Sequence, residues 1–82
     1  VSLGVMPDYM FNKGGMRIDA VTQDRPAYKA GLIKGDIVIK LGEYDVEDMM
    51  GYMKALSKFK SGDSTSVIVK RDKDTIQRKV AF

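Results

Sequence analysis

Catalysis needs a side chain that can attack, or that can take and release a proton near neutrality, and this sequence offers few. Neither cysteine nor histidine occurs among its 82 residues. That removes thiolate nucleophiles, disulfides, thiolate zinc sites and the commonest general base in one stroke. The chemistry left is chiefly that of the main chain. The stretch Ser2-Leu3-Gly4-Val5 sets a glycine between two apolar residues. Such a segment has two readings. The glycine kinks an edge strand, or its dihedral freedom lets successive amides converge on one point as an anion-binding nest. On spacing alone the kinked strand is the simpler one.

Other charged and glycine-rich stretches reduce to structure. Residues 12–17, NKGGMR, look superficially like a phosphate loop. They lack the Gly-Lys-Ser/Thr ending and a following helix, so they read as a hairpin loop. Asp45, Glu47 and Asp48 cluster where a helix should begin, and capping accounts for them better than a metal site. Lys70, Arg71, Lys73, Arg78 and Lys79 gather near the C-terminus, as charges guarding a sheet edge. A net charge of +3 falls short of the clustered basic surface that nucleic acid requires.

The elements that must position these residues are short. LGVM enters as a strand, and Pro7-Asp8 turns it. MRIDAV (16–21) alternates as a strand does. RPAYKAG reads as one short helix, with Pro26 at its first position, Gly31 just past its end and Leu32 closing the apolar contact. Residues 35–42 form the clearest strand, and 44–46 a very short one. The one long helix is expected over 46–60, from the recurrence of Met49, Tyr52, Met53, Leu56 and Phe59. Asp45 or Asp48 would cap it, and with Asp45 as cap Tyr44 would staple onto Met49. Gly51 inside it costs about 1 kcal/mol relative to alanine. STSVIVKR and TIQRKVAF (75–82) form the last two strands around the 72–74 turn.

Five to six strands, one short helix and one long one make an α+β domain: a small, mostly antiparallel barrel or sandwich closed by a helix. The chain spans one domain, residues 1–82. At 44% hydrophobic and 30% charged residues it has an ordinary globular composition. No apolar run approaches the roughly 18–20 residues of a membrane helix. A first residue of valine rather than methionine suggests a piece excised from a longer protein.

In combination these stretches are more specific than any one alone. AVTQDRPAYKAGLIKGDIVIKLGEYDV resembles the PDZ domain, with its Pro-Ala, Ala-Gly-Leu, Gly-Asp, strand and Gly-centred turn. SLGV resembles that family's carboxylate-binding loop, and KSGDSTSVIVKRD its strand after the long helix. The order of pieces resembles the circularly permuted PDZ arrangement of bacterial proteases, in which a final strand, here 75–82, takes the place of a first one. LGVMPDY together with GGMRIDAV is most similar to PDZ domains appended to bacterial zinc aminopeptidases, and next to those of high-temperature-requirement serine proteases.

The resemblance implies a peptide-binding module with no catalytic residue, metal or cofactor of its own. Its ligand would be an apolar C-terminal or internal extended segment, added as a strand. The implied peptide-binding residues are Ser2, Leu3, Gly4, Val5 and Met6 on one wall, with Met49 and Met53 of the long helix on the other. Leu3 and Val5 would flank the pocket for the last ligand side chain. Tyr52, Leu56 and Phe59 would face the core. Arg78 or Lys79 would help attract a ligand carboxylate. The implied parent is a peptidase, in which the module presents substrate, gates the site or mediates assembly. The implied compartment is periplasmic, secreted or cell-envelope.

Two positions depart from the family pattern. Pro7 has no N–H and shortens the pairing edge to Gly4–Met6. Arg25 stands where a small polar cap is usual, which reads as a weaker helix cap. Three rivals have their own signatures. A spacer or oligomerisation domain would have its groove filled by its own chain or a second copy. A basic nucleic-acid-binding β-domain would bind with steep salt dependence. A catalytic fragment would turn over peptide substrates.

Overall fold

Turn residues cut the chain into eight elements, and the computed structural model describes all residues 1–82. They are β1 (Val5–Pro7), β2 (Met16–Val21), α1 (Pro26–Lys29), β3 (Ile37–Leu41), β4 (Tyr44–Asp45), α2 (Met49–Leu56), β5 (Ser64–Arg71) and β6 (Asp74–Ala81). The strands form one antiparallel six-stranded sheet in the order β1-β2-β3-β5-β6, with β4 attached to β3. The expected α+β architecture of six strands, one short helix and one longer helix is therefore present.

The helix signals around α1 work as the residue types require. Pro26 occupies the first turn, where its missing N–H has no helical acceptor to lose. At the other end Gly31 adopts φ +84°. Its N–H donates to Tyr28 C=O at 3.1 Å, and the Leu32 N–H reaches Ala27 C=O at 3.0 Å. That pair of bonds is the Schellman ending, and Leu32 and Ala27 are both buried beneath it.

The longer helix is shorter than its apolar spacing predicts. α2 begins at Met49 because Asp48, not Asp45, caps it: the Asp48 carboxylate accepts the Gly51 N–H at 2.7 Å. It ends at Leu56, after which the Lys58 and Phe59 amides bond three residues back, to Ala55 and Leu56. Val46 and Phe59 keep helical phase while lying outside the helix. Val46 is buried in the approach. The Phe59 ring packs edge-on to Tyr44, at 6.0 Å between centroids, and on Phe82 at 5.6 Å.

The core gathers the inward positions of every layer. β5 alternates, sending Val67 and Val69 inside, and β3 contributes Val38 and Leu41. α2 covers them with Tyr52, Ala55 and Leu56. Each valine or leucine so buried contributes about 1.5–3 kcal/mol relative to leaving it in water. β6 pairs with β5 along its whole length, from Arg71↔Asp74 to Ser64↔Ala81, and buries only Val80. β6 lies at one end of the sheet and β1 at the other. No helix is long and apolar enough to cross a membrane.

Candidate functional site

β1 is a terminal strand, paired on one side only, to β2. Its free edge follows from the ladder. The Thr22 N–H donates to Gly4 C=O at 2.9 Å, so Val5 and Val21 form a non-hydrogen-bonded pair. The Val5 N–H and C=O therefore point away from β2. The Asp8 N–H bonds to Arg17 C=O on the other side of a register shift, which turns the Pro7 nitrogen to the same open edge. The proline thus removes a donor from the edge a guest strand would use, and none from the sheet.

Gly4 sits at φ +77°, a conformation that glycine adopts freely. Its N–H donates to the Ser2 hydroxyl at 3.0 Å. The Leu3 N–H has no acceptor within the chain, while the Leu3 C=O accepts the Ala27 N–H at 2.9 Å and fastens the loop to α1. The amides of Leu3, Gly4 and Val5 thus lie in succession, two unpaired and one held by an exposed side chain.

The Leu3 side chain requires a correction. It was expected beside Val5 on the wall of a ligand pocket. It is 0% exposed and belongs to the core cluster with Ala27, Tyr52 and Leu56. Leu3 precedes β1, and its side chain turns into the core that the sheet and helices share. Val5 is half-buried against the same cluster, and Met6 is exposed.

On α2, Tyr52 and Leu56 face the core as expected, and Ala55 joins them. Burial pushes the Tyr52 phenol above its ordinary range. Met49 leans on the core and is partly buried, while Met53 is 57% exposed and Met50 is exposed beside it. α2 packs on β3 and β4, and β1 packs on β2. None of the molecule's three cavities is lined by residues of both β1 and α2. The residues expected to form the two walls therefore enclose no cavity between them.

The loop between β1 and β2 is fastened at both ends. The Asp8 carboxylate accepts the Met10 N–H at 3.0 Å and two hydrogen bonds from the Arg17 guanidinium, which lies 5.0 Å over the Phe11 ring. The Arg17 contact, with the Met10 N–H, holds the Asp8 carboxyl below its usual range. The Gly15 N–H donates to Glu47 C=O at 2.9 Å, joining this hairpin to the approach of α2. Residues 12–15 of NKGGMR are accordingly hairpin loop, while Met16 and Arg17 open β2.

Two arginines carry more than their local sequence suggests. Arg71, grouped above with solvated edge charges, pairs with Asp36, whose carboxylate is fully buried. Arg25, read above only as a weak cap, makes no capping bond. It folds over Gly4 instead: a Cβ built on Gly4 would lie 2.2 Å from Arg25 Cβ, 2.7 Å from Cγ and 3.2 Å from Nε. Beside it a cavity of about 420 Å³ is lined by Ser2, Arg25, Lys29 and Phe82 among others. Arg78 lies near Gly31, past the end of α1, and neither it nor Lys79 lines that cavity.

With this geometry in hand, comparison with known proteins is specific. The family model described as PDZ domain matches residues 2–81. Among solved structures, the HtrA-type protease AlgW with decapeptide superposes with a TM-score of 0.87 at 20% identity, over 98% of this chain and 28% of that one. The same protease with tripeptide gives 0.81 at 20% identity, over 98% and 30%. An aminopeptidase N family protein from Idiomarina loihiensis gives 0.88 at 21% identity, over 99% and 13%. The chain thus spans less than a third of each of these proteins. No curated protein matches the sequence.

Proposed function

This chain belongs to the PDZ domain family, and on that premise we propose that it is a peptide-binding module that takes an apolar C-terminal or extended segment by strand addition. The observation that carries the proposal is the outer edge of β1. It is a terminal strand with unpaired N–H groups at Leu3 and Val5, in a fold whose longer helix exposes Met53. A guest strand would bond to Val5, place its terminal carboxylate at the amides of Leu3, Gly4 and Val5, and lay apolar side chains toward Met49 and Met53. Methionine suits such a wall, being flexible and polarizable enough to fit varied guests. Ser2 holds the Gly4 N–H in the free protein, and its exposed hydroxyl would yield to a ligand oxygen.

The solved AlgW structures with a decapeptide and a tripeptide support this reading by likeness of fold. The same likeness, with the aminopeptidase N family protein beside it, supports a peptidase as the parent, in which the module presents substrate or regulates access. The module contributes binding and no catalysis. Its affinity should be low, because a three-residue edge lacking the Pro7 N–H offers few bonds against the cost of ordering a flexible peptide.

The test is an NMR titration of the labelled domain with a library of peptides of apolar C-terminus. Shifts confined to the Leu3, Gly4 and Val5 amides and the Met49 and Met53 methyls are expected. Shifts clustered elsewhere, or none, would remove the proposal.

A further inference from the structure

Arg25 answers to a different description from the chain's other arginines. The arginine-donated hydrogen bonds all come from Arg17, Arg71 and Arg78. Both ion pairs use Arg17 or Arg71. Arg25 has neither, though Asp24 is its neighbour in sequence. Its guanidinium, with five N–H donors and no acceptor, is thus unspent.

Its placement is set by the glycine. A Cβ at position 4 would stand 2.2 Å from Arg25 Cβ, too close for any side chain there, so Gly4 makes room for Arg25 itself. The result is a set of donors of one polarity: the Leu3 and Val5 amides, the Gly4 amide held by Ser2, and the Arg25 side chain packed at Gly4, its Nε 3.2 Å from where a Gly4 Cβ would stand. Lys29 stands one helical turn on, and no Asp or Glu side chain lines the cavity bordered by Arg25 and Lys29. Amides alone attract an oxyanion by dipoles, whereas a guanidinium adds full charge and a planar two-pronged fork.

From this geometry we infer that Arg25 is the specificity-determining residue for a free terminal carboxylate: it reaches over Gly4 and pairs with the carboxylate that the loop amides orient. The inference rests on the proposed peptide-binding function, and it adds a named charged group from the start of α1, its N-cap residue, to what is otherwise a main-chain site. It predicts that this domain distinguishes free-acid from amidated C-termini through one exposed side chain, and that part of its affinity is lost as salt rises.

The experiment uses two pools of decapeptides randomised among apolar residues at their last three positions, one as free acids and one as C-terminal amides. Each is titrated into the protein and into its Arg25→Gln and Arg25→Lys variants, with thermal unfolding confirming that the variants fold. The unsubstituted protein should prefer the free-acid pool. Arg25→Gln should weaken free-acid binding about tenfold, the low end for a charge-assisted bond at an exposed site, and leave amide binding unchanged. Arg25→Lys should restore part of the preference. If Arg25→Gln keeps the full preference, this inference is wrong and peptide binding stands. If the unsubstituted protein binds both pools equally, carboxylate reading fails altogether. If it binds neither, the proposed function fails with it.

Discussion

Arg71 and Asp36, 35 residues apart, form a two-pronged ion pair with both hydrogen bonds at 2.8 Å. The same guanidinium reaches Gly31 C=O at 3.0 Å, and the carboxylate also accepts the Ile33 N–H at 3.0 Å. One contact therefore ties the end of α1, the turn into β3 and the end of β5. Removing the carboxylate leaves a guanidinium and an amide without their partner. Asp36→Ala should lower stability by about 3 kcal/mol, measured by urea unfolding.

The pH dependence follows from the same pair. Burial pushes the Asp36 carboxyl up, but hydrogen bonds from Arg71 and Ile33 and the charges of Arg71 and Arg78 outweigh it, so the group sits below its ordinary value. Asp8 is lowered as well, by Arg17 first. A depressed folded-state value gives stability that is present above about pH 4, the unfolded carboxyl range, and is lost as pH falls through the folded value. With no histidine in the chain, stability should be flat from about pH 5 to 8 and fall below about 4. Asp36→Asn should flatten the acid limb, as followed by unfolding midpoints across pH.

Gly4 and Arg25 should behave as a coupled pair. Gly4→Ala introduces both an unfavourable φ of +77° and a 2.2 Å collision with Arg25 Cβ. The backbone part costs about 1–2 kcal/mol, and the collision adds to it. In Gly4→Ala/Arg25→Gly the collision is gone and only the backbone part should remain. A double-mutant cycle of unfolding free energies measures the difference, and additivity would show that the two residues do not meet.

Leu3 and Met53 should separate stability from binding. Leu3 is fully buried, so Leu3→Ala should destabilise by about 2–5 kcal/mol. Met53 is 57% exposed, and Met53→Ala should change stability by less than about 0.5 kcal/mol. If α2 forms a wall of the groove, the same substitution weakens peptide binding several-fold. Calorimetry of unfolding and of binding on both variants checks the contrast.

Local signals were legible in the residues wherever the physics is local. Pro26 and Gly31 announced α1 and its ending because capping bonds span only a few positions. The alternation of Val67 and Val69 placed β5 because a strand repeats every two residues. The length of α2 was overread because Val46 and Phe59 bury themselves in helical phase beyond its ends. Leu3 was misplaced because its full burial comes from core contacts made by residues distant in sequence. Arg25 over Gly4 and Arg71 on Asp36 were invisible, since each joins segments that meet only after the sheet has formed.

The central claim is that a guest peptide pairs with the open edge of β1. Amide hydrogen exchange at Val5, read with and without saturating free-acid peptide, tests it most directly. The account predicts that the Val5 N–H exchanges freely in the free protein and slows at least about tenfold on binding, while the Met6 N–H, already facing β2, changes little. Peptide binding that leaves Val5 exchange unaltered would contradict strand addition at this edge.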